Sequence, residues 1–374
     1  MGASLRKVWW IADSVVTSLG VTTSENYLNI SSGKSGLKFY QNHSSSEKPV
    51  CLSQINEIEH QPHTTRFETL TKKALDGLFN KLHHLEGRTL FILSTTKGNI
   101  ELLEQGLDAH SRIHLHQAAN FITQDYKFSG QTIISNACTS GVTSLILAKR
   151  QIECGNYDHA VVLGADVLSK FIISGFQSLN ALSDSPCNPF DANRTGINLG
   201  EGAACVLLSS AIDQFNVSNK VAITGGGLTN DANHISGPSK TGEELAAAIN
   251  QAMQQSNLKP IDIDFISAHG TATIYNDEME SKAFHLSGLS DTPLHSLKGY
   301  FGHTLGAAGV IESIMSVRSL AHQETIACKG FTSLGVSKPI NVIQSKEAKS
   351  MKHCIKTSSG FGGCNAAITL SIES

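Results

Sequence analysis

The sequence predicts an α/β fold on two observations. Short apolar runs at residues 89–93, 132–134, 160–163, 204–208, 221–224, 265–266 and 367–370 lack the polar alternation of a half-exposed strand, so they read as parallel strands covered on both faces. Between them, segments 142–153, 242–255, 278–286 and 306–321 carry apolar residues at three- and four-residue spacing, the pattern of helices with one buried stripe. Strands interleaved with helices call for sheets with helical layers on their faces.

Along the chain, Lys7-Val-Trp-Trp-Ile-Ala12 is an apolar run cut by Asp13, which reads as strand and turn and not as a secretion signal. Residues 38–66 and 100–128 are polar and histidine-rich, and are expected as surface loops and helices flanking the strand at 89–93. The strand at 132–134 leads through the small-residue turn Ser135-Asn-Ala-Cys-Thr-Ser-Gly141 into the helix at 142–153. A polar connector at 209–219 lies between two strands and places a boundary near residue 211, giving halves 1–211 and 212–374. Each half has strands, helices and a glycine-rich reactive turn, so a duplicated architecture is conceivable, although no sequence repeat is visible. The triple glycine Gly225-Gly-Gly227 lacks the G-x-G-x-x-G spacing and acidic residue of a dinucleotide site.

Composition narrows the function classes. Twenty-nine basic against 32 acidic residues give a net charge of -3, with no basic surface for nucleic acid. No stretch approaches the ~18 apolar residues of a membrane span. Eight scattered cysteines contain no C-x-x-C pair, which argues against zinc and against a disulfide framework, and fits a reducing, cytoplasmic setting.

Cys138 draws attention because a thiol at the start of a helix meets oriented N–H groups and the positive end of the helix dipole, an arrangement expected to lower its pKa. Cys154, Cys187, Cys205, Cys328 and Cys354 lack such flanks and read as structural. His269 and His303 sit beside glycines and small residues, unlike packed core histidines; a metal pair is the weaker alternative, since no third ligand lies at metal spacing. His83, His84, His114 and His116 read as surface residues, and Asp191 with Arg194 as an ion pair fixing a loop.

Six motifs in order resemble the β-ketoacyl-[acyl carrier protein] synthases: Ala137-Cys-Thr-Ser-Gly141, Pro189-Phe-Asp-Ala-Asn-Arg-Thr-Gly196, Gly200-Glu-Gly-Ala203, His269-Gly-Thr-Ala-Thr273 with Asp277 and Glu280, residues 298–309, and Gly360-Phe-Gly-Gly-Cys-Asn365. The two-histidine set resembles the elongating type, and Cys364 reads as structural and not as the second reactive cysteine of a thiolase. The resemblance implies the thiolase-like fold, two related halves in a five-layered α-β-α-β-α core. It implies Cys138 as the acyl-holding nucleophile, the N–H groups of Cys138 and Phe361 as an oxyanion hole, and His269 and His303 as neutral donors to an enolate, each oriented through its other nitrogen. Lys298 is expected to supply a nearby charge, with Glu280 pairing to it or supporting the local fold beside Asp277. Thr271, Thr273 and Gly362 are expected along a phosphopantetheine arm, Phe176 as an acyl-pocket wall, Phe361 as a gate, and Asp231 with His234 in the gate's partner loop. The implied reaction is decarboxylating condensation with substrates borne by acyl carrier protein, without a separate cofactor or metal. A homodimer is the expected assembly, with a heterodimer of related synthases as the alternative. A specialised polyketide or aryl-polyene pathway, or a non-catalytic chain-length partner, are the other readings. The first third is the most divergent part of the chain, so the acyl chain is left open.

Overall fold

Two stretches of chain trace the same path. In the first, β1 (Trp9–Thr17), β2 (Thr89–Ser94), β3 (Gly130–Ile134), β4 (His159–Asp166) and β5 (Gly202–Ser209) lie in the order β3-β2-β4-β5-β1. In the second, β6 (Val221–Asn230), β7 (Phe265–Ser267), β8 (Pro293–His295), β9 (His353–Gly360) and β10 (Cys364–Ile372) lie in the order β8-β7-β9-β10-β6. Directions repeat as well: the first three strands of each order are mutually parallel, and the last two alternate. The sheets join edge to edge where Trp9 of β1 faces Ala222 of β6. This computed structural model describes residues 5–373 except 57, 59–62 and 83–84, so His83 and His84 lie outside the described residues.

The runs at 204–208, 221–224 and 367–370 were expected to be parallel and are antiparallel to their neighbours. An apolar run reports cover on both faces, not direction, and the short link between β9 and β10 (residues 361–363) can join only a hairpin.

Helices complete five layers. On the outer face of the first sheet, α1 (Arg66–Phe79) packs on β1, β4 and β5, its start fixed by a reciprocal cap between Thr65 and Glu68. Between the sheets run α2 (Ser140–Glu153) and α6 (Ala308–His322). Almost every residue of α6 is buried, more than the single stripe expected of segment 306–321, because most of its remaining positions are small Gly, Ala and Ser residues that let neighbours close in on every side. On the outer face of the second sheet lie α4 (Glu243–Gln255) and α5 (Ile274–Leu286), and α3 (Lys170–Ser178) flanks the site described below. The middle layer joins Val142, Leu145 and Ile146 of α2 to Val310 and Ile314 of α6 in one apolar cluster with both sheets. Each such fully buried aliphatic side chain contributes about 1.5–3 kcal/mol. The triple glycine has a packing role: a Cβ at Gly225 or Gly227 would overlap the carbonyl oxygens of Ala252 and Ala248 in α4.

The polar segments hold more order than their composition suggests. Lys38–Tyr40 pairs with Val50–Ser53, which pairs in turn with Leu199–Gly200. His114 and His116 are exposed. Among the described residues, no helix is long and apolar enough to cross a membrane.

Candidate active site

The loops that follow β3 in the first sheet and β7 and β8 in the second supply the thiol and both imidazoles, at the carboxyl ends of parallel strands, where open α/β sheets place their ligands. Cys138 precedes α2, and His303 lies shortly before α6. These two helices cross closely at their starts: a Cβ on Gly141 would stand 2.8 Å from the Val310 nitrogen, and one on Gly309 2.6 Å from the Val142 nitrogen. The crossing brings His303 Nε2 to 2.9 Å from Cys138 Sγ, with the His269 ring 5.3 Å from the His303 ring and nearly perpendicular to it. Left-handed backbone at Ala137 (φ 46°), Ala272 (φ 60°) and Leu305 (φ 52°) marks strain in all three loops.

Burial pushes the Cys138 thiol up to about 11, against the pull of Lys298, Lys97 and the Phe361 N–H, so the lowered pKa expected from the helix start is outweighed by desolvation. Both imidazoles are held well below the usual histidine range, by burial first and then by Lys298. They are therefore neutral at pH 7, as expected. Their Nδ1 atoms have no hydrogen-bond partner among the described residues, so the orienting contact expected there is absent; the loop backbone holds the rings instead. The His303 N–H donates to the Asn198 carbonyl at 2.7 Å, and its own carbonyl accepts from the Gly200 N–H at 3.0 Å. The His269 N–H donates to Glu280 Oε1 at 2.8 Å.

Lys298 pairs with Glu312, not with Glu280: its Nζ stands 2.5 Å from Glu312 Oε1 and donates to the His269 carbonyl at 3.1 Å. Glu280 takes the other expected role, accepting from the N–H groups of His269 and Gly270 and from Asn276. Asp277 accepts from the N–H groups of Phe190 and Thr271, and burial raises its carboxyl to about 7. Arg194 reaches Asp277 at 3.8 Å, while the Asp191 carboxylate accepts from Thr332 and Ser333; the expected Asp191–Arg194 side-chain pair is thus replaced by two separate loop ties.

Two cavities meet at the thiol. One, with about 610 Å³ of empty space that includes its opening to solvent, is lined by His269, His303, Thr271, Thr273, Asp231 and Pro238 among others. The other, of about 740 Å³, lies toward Phe171, Ile172, Leu179 and Leu305. Cys138, Phe176 and Phe361 border both, and the two phenyl rings stack at 5.7 Å. Thr271 and Thr273 share a 2.8 Å hydrogen bond, and neither hydroxyl is spent on capping α5. Phe361 sits in the hairpin ahead of left-handed Gly362 (φ 85°) and Gly363 (φ 78°). That hairpin is tied to the facing loop by Asp231 N–H to the Gly363 carbonyl at 2.8 Å and Gly362 N–H to the Ile235 carbonyl at 2.7 Å. His234 turns inward on its own loop, its Nδ1 accepting from the N–H groups of Ser236 and Gly237.

Cys364 donates to Asn136 Oδ1 at 3.0 Å. All eight cysteines are unpaired; Cys187, Cys205, Cys328 and Cys354 are buried, whereas Cys154 is exposed at the end of α2. The donor atoms of Cys138, His269 and His303 lie within 4.8 Å of one another, but the buried Lys298 and Lys356 beside them oppose a cation there.

Sequence reasoning missed Asp166, Glu312 and Lys356. Asp166, at the end of β4, accepts from Thr95, Thr96 and the Gly306 N–H at 2.7 Å, tying the β2 loop to the His303 turn. An aspartate closing an apolar strand was the available signal. Glu312 lies on α6, where one acid inside an otherwise apolar and small stretch could have been noticed.

The descriptions "Beta-ketoacyl synthase, N-terminal domain" and "Beta-ketoacyl synthase, C-terminal domain" match residues 104–213 and 221–331, together more than half of the chain. The chain belongs to the β-ketoacyl synthase family. Among curated relatives of this chain, the 3-oxoacyl-[acyl-carrier-protein] synthase 2 of Mycobacterium leprae (strain TN) is 31% identical over 62% of this chain and 58% of its own length. The mitochondrial 3-oxoacyl-[acyl-carrier-protein] synthase of Arabidopsis thaliana is 31% identical over 69% of this chain and 60% of its own. The match thus spans less than two thirds of these relatives. Two solved structures resemble the chain along nearly its whole length. A ketosynthase (ApeO) in complex with its chain length factor (ApeC) from Xenorhabdus doucetiae gives a TM-score of 0.88 at 27% identity, covering 98% of both chains. The ishigamide ketosynthase/chain length factor gives 0.89 at 25%, covering 99% of this chain and 100% of the other.

Proposed function

We propose that the protein catalyses the decarboxylating condensation of an enzyme-bound acyl group with a malonyl thioester, both delivered by acyl carrier protein, in fatty-acid or polyketide chain elongation. The observation that carries this reading is a thiol 2.9 Å from one neutral imidazole, with a second beside it, at the meeting point of two cavities.

In the first step Cys138 sulfur attacks the acyl thioester carbonyl, the carrier thiol leaves with the proton, and the transient oxyanion is held by the N–H groups of Cys138 and Phe361. The acyl chain then occupies the cavity beyond Phe176. In the second step the malonyl thioester loses CO2, and the electron pair of the broken C–C bond moves to the thioester oxygen. Donation from the imidazoles of His269 and His303 stabilises that enolate, and neutral rings supply the N–H required. The enolate carbon attacks the acyl-cysteine carbonyl, a C–C bond forms, and Cys138 leaves as thiolate. Thr271, Thr273 and Asp231 line the cavity that would take the phosphopantetheine arm, with Gly362 following Phe361 in the adjoining hairpin, and no separate cofactor enters.

The relatives' names support the carrier protein as partner, and a cytoplasmic setting suits one. A homodimer is the first assembly reading. A heterodimer with a related synthase is the second, favoured by the resemblance to two ketosynthase–chain length factor pairs; the same resemblance supports a specialised polyketide or aryl-polyene pathway. The intact Cys138–His303 contact opposes a non-catalytic chain-length role.

The test loads purified protein with a panel of acyl carrier protein thioesters, follows acylation by intact mass, then adds malonyl carrier protein. Acylation of wild type but not Cys138→Ala, followed by chain extension, is expected. Acylation of Cys138→Ala would overturn the nucleophile, and an acyl-enzyme that never condenses would overturn the reaction.

A further inference from the structure

Behind the imidazoles lies a second buried lysine. Lys356, on β9, is fully buried, and its Nζ stands 2.5 Å from Glu312 Oε2, the oxygen that Lys298 leaves free. One carboxylate therefore bridges two ammoniums. Their remaining donors grip consecutive carbonyls of the chain leading to the imidazole: Lys356 donates to Ser267 at 3.2 Å and Ala268 at 3.1 Å, and Lys298 donates to His269 at 3.1 Å. Two cations sharing one anion leave one positive charge unbalanced within the triad. A buried charge of this kind acts through low dielectric, where its field is far stronger than in water.

We propose that Lys356 is a positioning residue for the condensation step, fixing the His269 strand end and keeping a second ammonium behind the two imidazoles, where the enolate oxygen develops. This rests on the condensing reading above. Other groups facing the triad are Glu280 from α5, whose carboxylate is engaged by backbone N–H groups, and the fully buried His295 from β8. Cys138 and His303 face the imidazole of His269 from the α2 and α6 sides. Lys298 and Lys356 both lower the proton affinity of His269 and His303.

The test separates charge from structure. Lys356→Met leaves Lys298 and Glu312 as a neutral pair. Lys356→Met/Glu312→Gln removes one charge of each sign and restores a single ammonium. Lys356→Arg keeps the cation. Each variant is assayed for Cys138 acylation by intact mass, for condensation against pH, and for imidazole titration by NMR of 15N-histidine-labelled protein.

For Lys356→Met the expected result is a condensation kcat lower by about tenfold, less than the loss on removing a direct oxyanion donor. The KM for malonyl carrier protein should stay within about twofold, since only the transition state is affected. Its imidazole titration and the acid limb of its rate should move to higher pH, because a positive neighbour has gone. The double variant and Lys356→Arg should return both toward wild type. Wild-type kcat and titration in Lys356→Met would overturn the proposal, as would a double variant that keeps the shifted acid limb. If Lys356→Met does not fold, the double variant decides by the position of its acid limb. If wild type never condenses, the enzymatic reading falls, and the imidazole titrations still decide whether Lys356 sets the charge at the site.

Discussion

Replacing Glu312 by glutamine tests the buried charge triad as a stability element. The carboxylate is 3% exposed and lies 2.5 Å from each of two fully buried ammoniums. Breaking one buried ion pair by removing a partner costs about 3–5 kcal/mol, because the remaining charge is stranded away from water. Here one substitution strands two, so at pH 7 the loss should reach the upper part of that range. The exposed pair Lys346–Glu324, at 3.3 Å, is the internal control: Lys346→Ala should cost about 0–1 kcal/mol. Urea unfolding followed by tryptophan fluorescence suits the purpose, since Trp9 and Trp10 lie in β1 at the junction of the sheets.

The pH dependence has a definite sign. Burial already lowers the proton affinity of Lys356, and without Glu312 its folded-state pKa falls further below the unfolded value. The unfolded chain then binds more protons than the folded one, so the variant regains stability as pH rises from 7 toward the ordinary lysine range. Wild type behaves differently at the acid end. Glu312 is held below the usual carboxylate range, so its contribution is complete above that range and lost as pH falls through the depressed value. A loss below about 1 kcal/mol at pH 7, or one that does not shrink at alkaline pH, would refute the triad as a buried, charged unit.

Three further outcomes are expected. Because burial and Lys298 hold both imidazoles well below the usual range, the condensation rate should persist on acidification past about pH 6.5; an acid limb centred there would mark ordinary, hydrated histidines. Phe361→Ala removes the ring stacked at 5.7 Å on Phe176 but keeps the backbone N–H, so Cys138 should still be acylated while the accepted range of acyl chains broadens; an unchanged preference across a chain-length panel counts against the gate. Gly141→Ala places a Cβ 2.8 Å from the Val310 nitrogen, which should cost about 1–3 kcal/mol by overpacking and slow acylation by moving the thiol from His303; wild-type thermal stability would contradict the close helix crossing.

The parts of the fold that were legible in the sequence are those where burial writes itself as an apolar run. The strands at 89–93 and 160–163 and the helices at 142–153 and 306–321 are of this kind, and glycine flanks singled out Cys138, His269 and His303. What escaped was order built from polar residues. β9 is buried yet reads His353-Cys-Ile-Lys-Thr-Ser-Ser-Gly360, because Lys356 and Thr357 are satisfied by partners far away in sequence. No periodicity reports such pairing, and a lysine in a strand ordinarily argues for a surface edge. Glu312 was hidden for the same reason: its partners, Lys298 and Lys356, come from two different loops and strands. Local rules fail at the positions where charge has been drawn inward around the imidazoles.

The repeated path has a consequence for the origin of the chemistry. Cys138 follows β3 and precedes α2; His303 follows β8 and precedes α6, the corresponding strand and middle helix of the second copy. The two side chains therefore stand at matching points and touch across an approximate twofold axis. Two identical half-length chains related by a strict axis could set only like against like there, thiol on thiol or imidazole on imidazole. A thiol facing an imidazole needs that symmetry broken, and joining two unlike copies in one chain lets one loop keep sulfur while its twin keeps nitrogen.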